Sequence, residues 1–153
     1  MSHHLIIGID PGKNTGFAVW DSMAARFDIV ISLMLHQAMR KIEEYQQSGD
    51  LSHVVFEDAR LRKWYGAAER GSAKDIARRQ GAGSIKRDCV IIAEFLGDLN
   101  IPYKSVSPLA KGAKTNAETF KRLAKWDNRT NEHARDAAML VIGARSLAGG
   151  RNS

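Results

Sequence analysis

One stretch near the start, Leu5–Trp20 (LIIGIDPGKNTGFAVW), limits the possible folds more than any other. Leu5-Ile6-Ile7-Gly8-Ile9 is a short apolar run, and such runs, when cut off by Pro and Gly, read as buried strands. The run stops at Asp10, where the pattern predicts another hydrophobe. Pro11-Gly12-Lys13-Asn14 is dense in turn-forming residues, and Thr15–Trp20 is apolar again. The pair predicts a β-hairpin with a carboxylate at the lip of its first strand. A carboxylate inside a sheet needs a partner that offsets its desolvation, usually a cation or a metal. An Asx-type hydrogen bond across the turn would also account for it. This stretch alone does not choose between the two.

The rest of the chain extends the sheet. Arg26–Ser32 (RFDIVIS) predicts a third strand. Leu33–Gln47 carries Leu35, Met39 and Ile42 at helical spacing, and Gly49 stands where a helix would close. His53–Phe56 predicts a fourth strand, which ends on Glu57-Asp58 and so repeats the acidic ending at Asp10. Leu61–Gly83 is polar, basic and Gly-containing, and reads as loop mixed with short helix. Ser84–Leu99 predicts an amphipathic helix with Ile85, Cys89, Ile92, Ala93 and Leu96 as its stripe. Ile91 and Phe95 form a second apolar face, available to another subunit or to a neighbouring helix. Tyr103–Val106 predicts a fifth strand, and the second part of Lys111–Lys125 a helix. Asn131 is placed to cap a last helix, Glu132–Leu147, with Ala134, Ala137, Ala138, Val141 and Ala144 buried. Three strands followed by alternating helices and strands imply an α/β fold: a mixed sheet, its first three strands antiparallel, with helices on both faces.

At 153 residues the chain suits one domain, here 1–148, with 149–153 as a frayed tail. No run of 18 apolar residues is present, so no membrane span is expected. Nor does the start read as a secretory leader. The single cysteine, Cys89, leaves no intrachain disulfide framework and no Cys-rich zinc site. It fits a reducing compartment, and so a cytoplasmic setting, nucleoid-associated or within a host cell for a viral source. The net charge is +6, and its placement matters more than its size. Between Arg60 and Arg87 stand nine Lys/Arg against two Asp/Glu, which leaves the remainder of the chain near neutral. A basic surface on a near-neutral body is the footprint of a polyanion binder. Trp64 and Tyr65 in the same stretch favour nucleic acid over a merely solvated helix.

A third acidic signal lies in NEHARDAAM. His133 and Asp136 are three apart and share a helix face. Asp136 sits among alanines, whose small side chains would let the helix approach the sheet. Its carboxylate could then reach Asp10 and Glu57. Glu132 is the alternative to His133 as a fourth group. Converging acids repel, and a divalent cation relieves that repulsion. Oxygen donors with one imidazole suit Mg²⁺ or Mn²⁺ better than zinc, and two such ions about 4 Å apart can clamp a phosphodiester.

Four motifs in order, GIDPGKNTGFAVW, VVFED, VSPLAKGAKTN and HARDAAM, resemble those of the RuvC-type Holliday-junction resolvases, in the RNase H-like superfamily. The resemblance covers most of the chain, as for a phage or divergent member. It implies an RNase H-like five-stranded sheet and a homodimer that cuts four-way DNA junctions, leaving 5′-phosphate and 3′-hydroxyl ends. It implies Asp10, Glu57, His133 and Asp136 as ligands of two Mg²⁺ or Mn²⁺ ions, with Lys111 and Lys114 near the scissile phosphate. Arg60, Arg62, Lys63, Trp64, Tyr65, Arg70, Lys74, Arg78, Arg79, Lys86 and Lys121 become the DNA surface. Arg87, Ile91 and Phe95 become the dimer contact. The sequence departs from the family pattern in having His133 where Asp is usual, and in a more basic segment after Glu57.

Three other readings remain in view. An RNase H-like nuclease acting on RNA–DNA hybrids or generic branched DNA would have the same composition. An actin-like nucleotide-binding module would share Asp10-Pro11-Gly12 but needs a second domain that 153 residues do not supply, so no nucleotide cofactor is expected. A non-catalytic DNA scaffold would have no use for acids beside phosphate.

Overall fold

The computed structural model describes residues 3–62, 73–108 and 114–149. Its centre is the expected hairpin. Strands β1 (Leu5–Asp10) and β2 (Thr15–Asp21) pair antiparallel from Leu5↔Asp21 to Asp10↔Gly16. The Thr15 hydroxyl donates to the Gly12 carbonyl at 2.9 Å and closes the turn. Strand β3 (Arg26–Leu33) continues the meander antiparallel to β2. At the β2–β3 turn, the Asp21 carboxylate accepts from the Ala24 and Met23 backbone N–H groups, each at 2.9 Å. Those bonds, the one from Ala24 first, hold the Asp21 carboxyl below the usual carboxylate range.

Helix α1 (Leu35–Ser48) follows and ends at Gly49, whose φ of 83° is the left-handed conformation that glycine adopts without a Cβ penalty. Strand β4 (Leu51–Glu57) then lies parallel to β1, and β5 (Tyr103–Val106) parallel to β4. The sheet order is β3-β2-β1-β4-β5. The near-continuous apolar run of β1 follows from its place: it is the central strand, covered on both faces.

Alternation along the strands divides the interior into two cores. Ile7, Ile9, Phe17, Val19, Val54 and Phe56 point to one face, where they meet Ala38 and Ile42 of α1 and Cys89, Ile92 and Leu96 of α2 (Ala73–Asp98). Ala18, Trp20 and Val30 point to the other, against Phe120 and Ala124 of α3 (Ala117–Ala124) and Ala134, Ala137, Ala138 and Val141 of α4 (Glu132–Gly149). Full burial of a large side chain such as Phe56 contributes about 1.5–3 kcal/mol.

The structure corrects the sequence reading in two places along α2. Helix α2 starts at Ala73, so residues 73–83 are helix where loop mixed with short helix was expected. Ile85, expected on the buried stripe, is 37% exposed. The 26-residue helix is roughly 39 Å long at 1.5 Å per residue. The longest strand, the eight-residue β3, spans only about 27 Å, so α2 is longer than any strand it could lie along, and Ile76 near its start is 50% exposed. In α3, Phe120 and Ala124 are buried and carry the packing, while Leu123 is 57% exposed. Among the described residues no helix is long and apolar enough to cross a membrane.

Candidate active site

The same alternation that sorts the cores sorts the acids. Ile9 faces α1 and α2, so Asp10 faces α4. Phe56 faces α1 and α2, so Glu57 also faces α4. Ile9 pairs with Phe56 in the parallel ladder, which sets Asp10 and Glu57 at the same end of adjacent strands. Asp58, one residue on, turns back. Its carboxylate accepts from the Arg60 backbone at 3.0 Å and takes a bidentate pair from the Arg60 guanidinium, at 2.9 and 2.7 Å. That pairing holds the Asp58 carboxyl below the usual range. The two neighbouring acids therefore have separate jobs. Asp58 caps the short 3-10 turn Ala59–Leu61, and Glu57 joins the α4 face.

Helix α4 reaches this corner because the sheet beneath it lacks side chains. Gly8 and Gly16 both lie on the α4 face. A Cβ on Gly16 would overlap the His133 carbonyl, and one on Gly8 would overlap the Ala137 carbonyl. Backbone thus lies on backbone, and Ala134, Ala137 and Ala138 add little thickness. The Asn131 side chain accepts from the Ala134 backbone N–H at 2.9 Å, the expected cap. His133 and Asp136 then occupy the first two turns of α4, above the ends of β1 and β4.

The geometry brings Asp10 and His133 together: Asp10 Oδ2 lies 3.5 Å from His133 Nδ1. Asp10 and Asp136 are both buried, at 8% exposure each. The positive end of the α4 dipole favours anions at this corner. Glu57 is half-buried, with its Oε2 shielded from solvent. Beneath it the Cys89 thiol lies 3.6 Å from the Glu57 carbonyl oxygen and donates to it, and burial pushes that thiol up to about 11. Glu132 pairs instead with Lys114. Of the two candidates for the fourth group, His133 is the one that meets Asp10.

Carboxylates with one imidazole match the donor preference of Mg²⁺ or Mn²⁺, and two buried acids on one face are an arrangement a cation stabilises. Among the described residues, no three His, Cys, Asp or Glu side chains are grouped closely enough to hold an ion together. The fit to a divalent ion is one of donor type and shared face, and the Asp10–His133 pair is the part already in contact.

The basic residues are spread more widely. Arg60 is held by Asp58, and Lys114 by Glu132. Arg62, Arg79, Arg87 and Lys121 are exposed, and Lys86 is half-buried. Lys63, Trp64, Tyr65, Arg70 and Lys111 lie outside the described residues, as do the side chains of Lys74 and Arg78 on α2. Phe95 packs against the α1–α2 core, and Ile91 is half-buried. Sequence reasoning missed Gly8, Gly16 and Arg135. A glycine inside a strand often marks close backbone approach, so the first two carried a legible signal. Arg135 carried none.

A central hairpin, two parallel strands added beside it, helices on both faces and acids at one end of the sheet define an RNase H-like α/β fold. No protein-family model matches the chain, and no curated protein matches it significantly. Solved structures do. The chain is similar to T. thermophilus RuvC in complex with Holliday junction substrate, with a TM-score of 0.63 at 15% identity over 97% of each chain. It is similar as well to a second structure of Thermus thermophilus RuvC, with a TM-score of 0.55 at 13% identity over 95% of this chain and 96% of that one. The fold is RuvC-like along nearly its whole length.

Proposed function

We propose that the chain is a structure-selective DNA endonuclease that resolves four-way junctions by metal-dependent phosphodiester hydrolysis. The observation that carries this reading is the placement of Asp10, Glu57, His133 and Asp136 on the α4 face at one end of the sheet, with Asp10 and His133 in contact. The RuvC-like fold supports it, because one of the similar structures holds a Holliday junction.

Asp10, Glu57, His133 and Asp136 would hold two Mg²⁺ or Mn²⁺ ions, which when bound supply activation of water and charge neutralisation at the leaving 3′-oxygen. The chain's own residues provide the rest. His133, beside Asp10, would complete the site as a ligand or as a proton carrier. Lys114 offers a charge-assisted contact to the DNA backbone, and Lys111 and Lys121 would add charge toward the same phosphates. Arg60, Arg62, Lys63, Arg70, Lys74, Arg78, Arg79 and Lys86 form the long-range attraction for the junction arms. Trp64 and Tyr65 stack on bases at its centre. A homodimer joined through Arg87, Ile91 and Phe95 would present one site to each of two equivalent strands. The products carry a 5′-phosphate and a 3′-hydroxyl, and the nuclease domain spans residues 1–148.

The test is incubation of the protein with labelled four-way junction, flap, duplex and RNA–DNA hybrid, each with Mg²⁺ and with Ca²⁺. Junction cleavage should need Mg²⁺ and should vanish in Asp10→Asn and Asp136→Asn, while junction binding in Ca²⁺ survives. Wild-type cleavage in either variant would remove the mechanism. Preference for the hybrid would replace the substrate.

A further inference from the structure

Arg135 stands out among the charged residues of α4 because its guanidinium bonds to main chain rather than to an acid. Its Nε donates to the Thr115 carbonyl at 3.2 Å. Its Nη1 donates to the Thr130 carbonyl at 3.0 Å and the Thr130 hydroxyl at 3.2 Å. These contacts join three separate places: the approach to α3, the approach to α4, and the second turn of α4 itself. The Thr115 contact spans 20 residues of chain. Lys114 immediately precedes Thr115, and its ammonium meets Glu132, the neighbour of His133.

We propose that Arg135 is a positioning residue, a three-point clamp that holds Lys114 against the acidic end of α4. The inference deepens the nuclease reading and rests on it for the role of Lys114 on DNA. The physical reason lies in the side chain. A guanidinium presents N–H groups in a rigid planar fork and stays charged at every working pH. It can serve two carbonyls that point from different segments. A lysine ammonium projects all its donors from one point and cannot reach both equally. Lys114 is 70% exposed along its side chain, so its pairing with Glu132 depends on the main chain at Thr115 being held in place. Ala134, Ala137, Ala138 and Val141 hold the helix on the sheet through a core that Arg135 does not join. The clamp is therefore separable from the fold.

The experiment uses the full chain and three variants: Arg135→Met, which keeps the aliphatic stem, Arg135→Gln and Arg135→Lys. Two quantities are read. The first is the acylation rate of the Lys114 amine, followed by peptide mass spectrometry with Lys121 as the internal control. The second is single-turnover junction cleavage in Mg²⁺, with junction binding in Ca²⁺ and the Tm measured alongside. In Arg135→Met and Arg135→Gln, Lys114 should acylate several-fold faster relative to Lys121. Cleavage should fall on the order of 10- to 100-fold, as misplacement of a phosphate contact predicts, with binding and Tm nearly unchanged. Arg135→Lys should recover part of both effects. Unchanged Lys114 reactivity in all three variants overturns the clamp. So does a cleavage loss that tracks Tm, which would make Arg135 merely structural. A wild-type protein that cleaves no branched DNA overturns the nuclease reading instead, and Lys114 reactivity still reports on the clamp.

Discussion

The two faces of the sheet are built on opposite principles. The α1–α2 face is filled by large side chains: Ile7, Ile9, Phe17 and Phe56 from the strands, Ile42, Ile92 and Leu96 from the helices. The α4 face is emptied where α4 crosses, with Gly8, Gly16, Ala18, Ala134, Ala137 and Ala138 at the contact. Bulk gives the first face its cohesion. Absence of bulk gives the second its proximity, so that helix backbone lies on strand backbone and short side chains such as Asp10 and His133 can meet. Side chains at positions 8 and 16 would push α4 outward, because a Cβ at either meets the helix backbone, and would loosen the contact between Asp10 and His133. The site is thus a consequence of thin packing, with the thick face opposite supplying stability.

This contrast can be broken by substitution. The largest effect is expected at Phe56→Ala on the thick face, a loss of about 3–5 kcal/mol through lost burial and a cavity, measured by urea denaturation. Gly16→Ala adds one carbon on the thin face and should still cost about 1–3 kcal/mol, because the His133 carbonyl must move. It should also disrupt the Asp10–His133 contact, read from the His133 imidazole chemical shifts and cross-relaxation by NMR at fixed pH. A Gly16→Ala protein with unchanged stability would show that the close approach is unimportant. Asn131→Ala removes the cap of α4 and should cost about 1 kcal/mol.

The smallest effects sharpen the comparison through pH and reactivity. Asp58 follows β4 and caps the 3-10 turn, and Arg60 holds its folded carboxyl below the usual range. Its stabilising share is therefore present above the unfolded carboxylate value, near pH 4, and fades as pH falls through the lower folded value. Wild type should lose stability over that acid range more steeply than Asp58→Asn. Parallel acid curves for the two proteins would remove Arg60 as a structural partner. Cys89, buried and pushed up to about 11, should resist alkylation in the folded protein at neutral pH and react only as α2 opens. Rapid modification of the native chain would mean that α2 is loosely held.

Much of the fold was legible because each element has its own local cause. The hairpin follows from an apolar run broken by Pro11-Gly12, the end of α1 from Gly49, the start of α4 from Asn131, and β5 from a short run between Pro102 and Pro108. The length of α2 was not legible. Gly81 and Gly83 argue against a helix locally, yet a Cβ at either would meet nothing, so only their intrinsic cost opposes it. At the site, residue types and spacing mark Asp10, Glu57, His133 and Asp136 as candidates, because a polar group that interrupts an apolar pattern is visible in one dimension; of these, the structure shows Asp10 and His133 in contact.

Partners were another matter. Glu57 and Asp58 are adjacent and chemically alike, and nothing local says that one faces α4 while the other binds Arg60. Glu132 and His133 posed the same problem; in the structure the first pairs with Lys114 and the second lies against Asp10. The order of residues determined which groups are acidic, where strands end and which helix carries small side chains, since these depend on neighbours along the chain. Only the folded chain decided which acid meets which base, because that depends on strand parity and on how near α4 can lie to Gly8 and Gly16, distances set between segments more than 100 residues apart.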